Sequence, residues 1–270
     1  MSENFTHTIL GKTGLKVCRL GLSATYRPGR KAVYFALDQG INYFFGFGID
    51  TQMTKVMREV LPKNREKYVI ATGVYNLIWG YPDIRKSLEK RLRQFGTDYI
   101  DVFMFLGVRQ AKEFPEKARE ELYKLCEEGK VKAVGMSTHD RTFAGQMAAE
   151  GKLEVLMIRY NAAHRGAEKD IFPHLATHNP GIVSFTATRW RYLLRRPKGW
   201  PKDSPIPAAT MPYRFVLSYP QIHVCMTAPS NLKQLQENMK VLQQGSLSEE
   251  EMAFMRKFGD SVYQQKKWFM

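Results

Sequence analysis

Eight short apolar segments recur along the chain, and hydrophobic residues between them follow a helical spacing. Short, nearly continuous apolar runs are typical of strands buried on both faces of a parallel sheet. The predicted strands are KVCRLGLS (16–23), INYFF (41–45), KYVIAT (67–72), YIDVFMFL (99–106), VKAVGMS (131–137), LEVLMIRY (153–160), IVSFT (182–186) and IHVCMT (222–227).

The segments between the strands predict amphipathic helices. One apolar stripe runs through Ile84, Leu88, Leu92 and Phe95, and Gly96 marks its end. A second stripe, also ended by a glycine, contains Leu122, Leu125 and Cys126.

Caps and stripes mark further helices. Asp140 is a candidate N-cap after the fifth strand, and Ser248 with Glu251 predicts a capping box for an additional C-terminal helix. The helix after the eighth strand is marked by Leu232, Leu235, Met239 and Leu242.

Eight strand–helix alternations predict an α/β fold, a (β/α)8 TIM barrel that forms a single domain over residues 1–270. An open doubly wound sheet is the alternative, but it would need a glycine-rich G-x-G-x-x-G turn after an early strand, and the sequence has none. The proline-rich basic segment 195–209 is interpreted as a long loop above the barrel.

The chain carries 41 basic and 26 acidic residues, a net charge of +15 that favours anionic partners. The densest patch, RWRYLLRRPKGWPK (189–202), interleaves aromatic and basic residues in a way that could stack nucleic-acid bases. Trp190, Tyr192 and Leu193 could equally form the buried side of a loop. We favour that interpretation and do not expect nucleic acid to be the partner.

Three isolated cysteines, Cys18, Cys126 and Cys225, favour buried thiols in a cytoplasmic protein over disulfides or a zinc site. We expect no metal, since no H-x-x-x-H or carboxylate cluster is present. The sequence has no apolar run of membrane-spanning length and no secretory signal pattern at its start. It leaves the oligomeric state open.

Six segments in register resemble the aldo-keto reductase superfamily. They are ILGKTGLKVCRLGLSA, ALDQGINYF, FGTDYIDVFMF, EEGKVKAVGMSTHD, IRYNAAHR and APSNLKQLQENM, and the resemblance runs from about residue 8 to 245. The resemblance implies an N-terminal β-hairpin that closes the bottom of the barrel. It also implies hydride transfer between NADP(H) and a carbonyl, with a tyrosine that protonates the oxygen and an aspartate, a lysine and a histidine that assist.

None of those four catalytic residues is present in this sequence. The aspartate aligns with Phe45, the tyrosine with Asp50, the lysine with Gly73 and the histidine with Leu106. We interpret this as a repurposed site, and expect Tyr26, Phe45, Gly73 and Leu106 to line a substrate pocket at the barrel's C-terminal mouth. An apolar floor below a basic rim suits a small acidic substrate with an apolar body.

Cofactor-binding positions match the family more closely. The resemblance implies that Ser137, Thr138 and Phe185 contact the nicotinamide. The adenosine end would fall to residues after the eighth strand, namely Ser230, Asn231, Lys233, Gln234, Glu237 and Asn238. Lys233 could suit a 2′-phosphate, whereas Met157 replaces a carboxamide-binding glutamine. The same segment could instead be an ordinary capped helix.

Polar residues at strand ends could supply the missing proton donor. Tyr160 and His139 are the candidates, although each could be structural. Two hypotheses follow. The chain is an NADP(H)-binding oxidoreductase with a non-standard site, or it is a non-catalytic cofactor sensor or regulatory protein on the same fold.

Overall fold

A computed structural model of the chain describes residues 5–46, 50–75 and 81–265. In this part of the chain, eight parallel strands pair in sequence order, and β10 returns to pair with β3, so the barrel is closed as predicted. The barrel strands are β3 (Leu20–Ser23), β4 (Tyr43–Phe45), β5 (Val69–Tyr75), β6 (Ile100–Val108), β7 (Val131–Thr138), β8 (Val155–Arg159), β9 (Gly181–Phe185) and β10 (Val224–Thr227).

The first predicted strand is two strands in the structure. Its first part is β2 (Lys16–Cys18), which pairs with β1 (His7–Ile9) in an antiparallel hairpin. Its second part is β3, which begins only after Arg19. The Arg19 guanidinium donates to three backbone carbonyls near β10, including that of Ile222 at 2.8 Å. Leu10 of the hairpin is fully buried in the barrel's inner core, so the hairpin seals the N-terminal end of the barrel.

Helices follow the strands on the outside of the barrel. They are α1 (Arg30–Asp38), α2 (Gln52–Asn64), α3 (Ile84–Phe95), α4 (Glu116–Glu127), α5 (Arg141–Glu150), α6 (Ala167–Asp170), α7 (Met211–Leu217), α8 (Leu232–Met239), α9 (Val241–Gln244) and α10 (Glu249–Gln264). The predicted caps are present: Asp140 accepts from Phe143 N, and Ser248 and Glu251 form a capping box. The predicted helix through Leu242 is divided, because α8 ends at Met239.

Two apolar layers hold these elements together. An outer layer lies between strands and helices, and an inner layer fills the barrel. Side chains alternate between the layers, so in β5 Val69 and Ala71 point inward whereas Ile70 and Val74 point outward. Full burial of one Leu or Phe side chain contributes about 1.5–3 kcal/mol, so both layers stabilise the barrel strongly.

The loop 195–209 contains no helix or strand, as predicted. Its Trp200 ring packs edge-on against Phe258 of α10, with ring centroids 4.9 Å apart. Within the described ranges, no helix combines the length and the apolar character that crossing a membrane requires.

Candidate functional site

A continuous cleft opens at the C-terminal mouth of the barrel, where active sites of this fold lie. It has two parts, which we call the mouth chamber (about 220 Å³) and the side cleft (about 520 Å³). The mouth chamber is lined by inward-facing strand ends such as Phe45 and Leu106, and the side cleft by residues after β9 and β10 such as Thr188 and Ser230. The parts adjoin, because they share five lining residues, namely Tyr26, Thr186, Trp190, Met226 and Ala228.

Three of the four predicted substrate-pocket residues lie together in the mouth chamber. Phe45 is 4% exposed and Leu106 is 2% exposed, and both belong to the inner core. Tyr26 covers them from the loop after β3 and is 51% exposed. With Met157, these side chains make the floor of the chamber apolar.

The expectation for Gly73 is wrong. Gly73 lines a separate cavity beside α3 rather than the mouth chamber. A Cβ atom at this position would lie 2.0 Å from the backbone carbonyl oxygen of Met104 on the neighbouring strand. The backbone here therefore excludes any larger side chain, a lysine included.

The expectation that Tyr160 is a proton donor at the mouth is also wrong. Tyr160 follows β8 with its side chain in the outer layer, where it is fully buried among rings of Phe172, Phe215 and Tyr219. Its hydroxyl donates to Glu168 at 2.8 Å, and burial raises its pKa far above the usual range. Tyr160 is part of a structural network and does not contact the cleft.

His139 does line the mouth chamber, but as a neutral side chain. Burial, together with the positive charge of Arg159, lowers its pKa to about 4. Its ring meets the ring of Phe185 edge-on, and its Nδ1 is buried with no hydrogen-bond partner among the described residues. At neutral pH the imidazole is therefore uncharged and cannot act as an imidazolium acid.

The residues predicted to contact the nicotinamide do not all point to the inside of the barrel. Ser137 and Phe185 point inward and line the mouth chamber, and Ser137 Oγ accepts from Gly107 N at 2.9 Å. Thr138 points the other way, is 2% exposed, and its Oγ1 accepts from Asp140 N at 2.9 Å. The expectation that Thr138 contacts a cofactor is wrong, because a one-residue step along a strand reverses the side-chain direction.

Four of the six predicted adenosine-end residues line the side cleft: Ser230, Gln234, Glu237 and Asn238. Asn238 Nδ2 donates to Thr227 Oγ1 at 2.8 Å and so anchors α8 to the strand end. Asn231 and Lys233 are exposed and lie outside the described lining of the cleft. Asn231 instead caps α8, accepting from Gln234 N at 3.0 Å.

The basic aromatic segment after β9 forms one wall of the cleft. Arg189, Trp190 and Arg191 adopt left-handed backbone conformations, with φ of 48°, 50° and 71°. Trp190 is 38% exposed and lines both parts of the cleft, whereas Tyr192 is 58% exposed and Leu193 is buried. The interpretation of these apolar residues as the buried side of a loop therefore holds for Leu193 alone.

Asp50, at the position aligned with the family tyrosine, has a structural role. It is 4% exposed, and its carboxylate accepts from the backbone N of Met53 at 2.8 Å and of Gln52 at 3.3 Å. These contacts satisfy free N–H groups at the start of α2. Asp50 is not among the described residues that line the mouth chamber.

Sequence reasoning missed one residue of the site, Tyr75, whereas Thr186 belongs to the polar residues expected at the strand ends. Tyr75 ends β5, packs against the inner core and lines the mouth chamber. Thr186 lies where the two parts of the cleft meet, and its Oγ1 is buried without a hydrogen-bond partner in the described chain. Tyr75 lies an even number of residues after Val69 and Ala71, which places all three side chains on one face of the strand. This spacing could have identified it.

Comparison with known proteins agrees with this architecture. The aldo/keto reductase family model matches residues 31–190. A solved aldo-keto reductase from Bacillus halodurans, AKR11C1 in its holo form, superposes with a TM-score of 0.77 at 19% identity, covering 94% of this chain and 96% of that chain. At this level of identity the likeness shows the barrel fold.

Two curated relatives match at 26% identity. Probable aldo-keto reductase 1 from Glycine max aligns over 200 residues, 66% of this chain and 58% of that protein. The uncharacterized oxidoreductase YrpG from Bacillus subtilis aligns over 221 residues, 67% of this chain and 65% of that protein. The chain thus spans less than two thirds of the length of these relatives. The family model covers more than half of the chain, and the protein belongs to the aldo/keto reductase family of oxidoreductases.

Proposed function

We propose that this protein is an oxidoreductase that binds NADP(H) along the cleft and acts on a small carbonyl substrate in the mouth chamber, without the Asp/Tyr/Lys/His set usual for the family. The observation that carries the proposal is the continuity of the cleft. Inward-facing Ser137 and Phe185 at one end and Ser230 and Gln234 at the other line one connected space. An extended dinucleotide needs such a space, with an aromatic surface at one end and polar groups at the other.

The residues present fit such a cofactor. Thr186 Oγ1 is buried without a partner in the described chain at the junction of the two parts, so it offers a hydrogen bond to a bound group. Phe185 is half-buried beside it and presents its ring to the chamber. When bound, a reduced nicotinamide supplies a hydride to a carbonyl carbon.

The chain's own residues divide the remaining tasks. Ser137 and Phe185 orient the nicotinamide end, and Ser230 and Gln234 hold the adenosine end. The apolar side chains of Phe45, Leu106 and Met157 exclude water from the reacting carbon. Arg191 in the side cleft and the exposed Lys233 on α8 supply positive charge for a 2′-phosphate.

We further propose that the substrate carries an acidic group. Arg159 ends β8 beside His139, and its Nη1 is buried with no hydrogen-bond partner among the described residues. Burial, together with the neighbouring charges of Arg141 and Arg189, lowers the pKa of Arg159. Arg159 lies outside the described lining of the mouth chamber, and a substrate carboxylate that reaches its guanidinium would supply the missing opposite charge.

A cofactor sensor on the same fold is the second candidate. The observation that favours it is the chemistry of the mouth chamber, whose described lining contains no aspartate, glutamate or lysine. A site that binds the dinucleotide without these residues to assist proton transfer would bind and not turn over. The experiment below distinguishes the two functions.

The cellular compartment of the protein is also part of the proposal. We propose that it acts as one domain in the cytoplasm. In support, the thiols of Cys18, Cys126 and Cys225 are unpaired, and burial raises the pKa of each of them to about 11 or 12. Protonated, mostly buried thiols suit a reducing compartment.

The test is dinucleotide binding followed by turnover. The purified full chain is titrated with NADPH and with NADH, using the fluorescence of the reduced nicotinamide. It is then assayed for NADPH oxidation with a panel of aldehydes, ketones and quinones, including benzaldehyde and 4-carboxybenzaldehyde. We expect NADPH to bind about tenfold more tightly than NADH, and 4-carboxybenzaldehyde to have the higher kcat/KM of the two benzaldehydes.

Each part of the proposal can be contradicted by a separate variant or result. Lys233→Met should remove the preference for NADPH, whereas Lys16→Met on the hairpin at the opposite end should not. Arg159→Leu should abolish the preference for the carboxylated aldehyde. Tight binding without turnover would indicate the sensor, and failure to bind either dinucleotide would reject both functions.

A further inference from the structure

Tyr75 occupies the wall of the mouth chamber. It is the last residue of β5 and follows Val69, Ala71 and Gly73 on the inward face of that strand. Its partner in register on β6 is Leu106, the position aligned with the family's histidine. The side chain packs against the inner core and lines the chamber with Ser137 and Phe185, so it borders the space where a carbonyl would react.

A positively charged side chain, that of Arg91, lies near the Tyr75 phenol. Tyr75 also lines a second cavity of about 420 Å³ next to α3, and Arg91 lines the same cavity. Burial raises the pKa of Tyr75 to about 12, and the positive charge of Arg91 acts in the opposite direction. Arg91 is therefore placed to stabilise the negative charge that Tyr75 would carry after losing its proton.

The other proton-bearing groups of the chamber are less suited to this task. His139 is neutral above its pKa of about 4. Ser137 carries an aliphatic hydroxyl, a much weaker acid than a phenol, and Tyr26 is 51% exposed on the rim. Among the described lining residues, Tyr75 alone combines an acidic proton, partial burial and a neighbouring cation.

We propose that Tyr75 is the general acid of this protein and that Arg91 is its positioning and charge-stabilising partner. The proposal rests on the oxidoreductase function proposed above, with a reduced nicotinamide dinucleotide as the reductant. The carbonyl carbon gains the hydride and the carbonyl π electron pair moves to the oxygen. The oxygen takes the phenolic proton, the O–H bond of Tyr75 breaks, and the resulting phenolate is neutralised by a proton from solvent. The dinucleotide is oxidised and the carbonyl is reduced to an alcohol.

This assignment places the acid on a different element from the one the resemblance implies. The family tyrosine aligns with Asp50 after β4, which caps α2. Gly73 cannot be replaced by the family's lysine, because a Cβ atom there would meet the Met104 carbonyl. Tyr75, two residues further along β5, lines both the mouth chamber and the cavity beside α3, and Arg91 lines that second cavity.

The test is Tyr75→Phe, which removes one oxygen and keeps the ring. We expect kcat for the best carbonyl of the panel to fall by about 100-fold or more, with the Kd for NADPH unchanged within about twofold. Tyr160→Phe, which removes a phenolic oxygen from the outer layer, serves as the matched control and should keep the wild-type kcat. Thermal unfolding checks that both variants fold.

Arg91→Met distinguishes a catalytic partner from a structural one. We expect kcat to fall by about tenfold in the wild-type background and to change little in the Tyr75→Phe background, because the charge acts through the phenol. Equal losses in both backgrounds would overturn the role of Arg91. An unchanged kcat in Tyr75→Phe would overturn the assignment while leaving the oxidoreductase function intact. Absence of turnover in the wild type, with NADPH bound, would reject the oxidoreductase and this assignment together.

Discussion

The imidazole of His139 meets the ring of Phe185 edge-on, with centroids 5.2 Å apart and planes at 81°. His139 directly follows β7 and Phe185 is the last residue of β9, so the two rings meet at the mouth of the barrel. An edge-to-face pair of this kind is worth about 0.5–1.5 kcal/mol beyond the area it buries. The contact restrains the Phe185 ring, which in the proposed function is the surface for the nicotinamide.

This contact predicts how cofactor affinity depends on both rings. Phe185→Ala should raise the Kd for NADPH by about tenfold or more, because the stacking surface is lost. His139→Ala should raise it several-fold, and His139→Phe should keep it near wild type because a ring remains at the edge. Fluorescence titration measures all three. An unchanged Kd in Phe185→Ala would contradict the proposed orientation of the cofactor.

Tyr160 is expected to matter for stability and not for activity. Tyr160→Phe removes the hydroxyl that donates to Glu168, while Glu168 keeps its 2.8 Å contact with Arg256. We expect the free energy of unfolding to fall by about 1–2 kcal/mol in a urea titration. A kcat reduced by more than about tenfold in a folded variant would show that Tyr160 does reach the reacting atoms.

The lysine position cannot be restored on this backbone. Gly73→Ala should lower the free energy of unfolding by at least about 2 kcal/mol, and Gly73→Lys by more, because a Cβ would lie 2.0 Å from the Met104 carbonyl oxygen. Gly166→Ala is the control and should cost less, since a Cβ there meets the guanidinium end of the Arg141 side chain, which can shift at the expense of its surface ion pair with Asp170. Equal stability of Gly73→Ala and wild type would contradict the close strand contact.

Acid should destabilise the protein through His223. Burial first, and then the charge of Arg19, lowers its pKa to about 4, and its Nδ1 accepts from Ile182 N at 3.0 Å. The unfolded chain binds this proton near pH 6.5 and the folded chain does so only near pH 4. The stabilisation is therefore complete above pH 6.5 and is lost as the pH falls towards 4.

The size of this effect is on the order of 2 kcal/mol. His223→Gln should reduce the dependence of unfolding free energy on pH between 6.5 and 4, because glutamine can accept the hydrogen bond without titrating; the contribution of His139 should remain. The exposed His174→Gln is the control and should leave the dependence as in wild type. An identical pH dependence in His223→Gln would assign the acid sensitivity to other groups.

The strand and helix pattern could be predicted because its causes are local. Short apolar runs, the stripe through Ile84 and Phe95, and the capping box of Ser248 and Glu251 each depend on neighbouring residues, and each is present in the structure. The position of Phe45 and Leu106 at the mouth followed from topology, since the carboxyl ends of parallel barrel strands meet on one rim.

The direction of side chains at those strand ends was decided by three-dimensional packing. Both faces of these strands are buried, so no polar alternation in the sequence reveals which face points inward. Tyr160 and Thr138 therefore seemed to belong to the mouth but point into the outer layer, whereas Tyr75 lies inside and was missed. Register between neighbouring strands sets these directions, and it also brings the Met104 carbonyl so close to Gly73 that no side chain fits there.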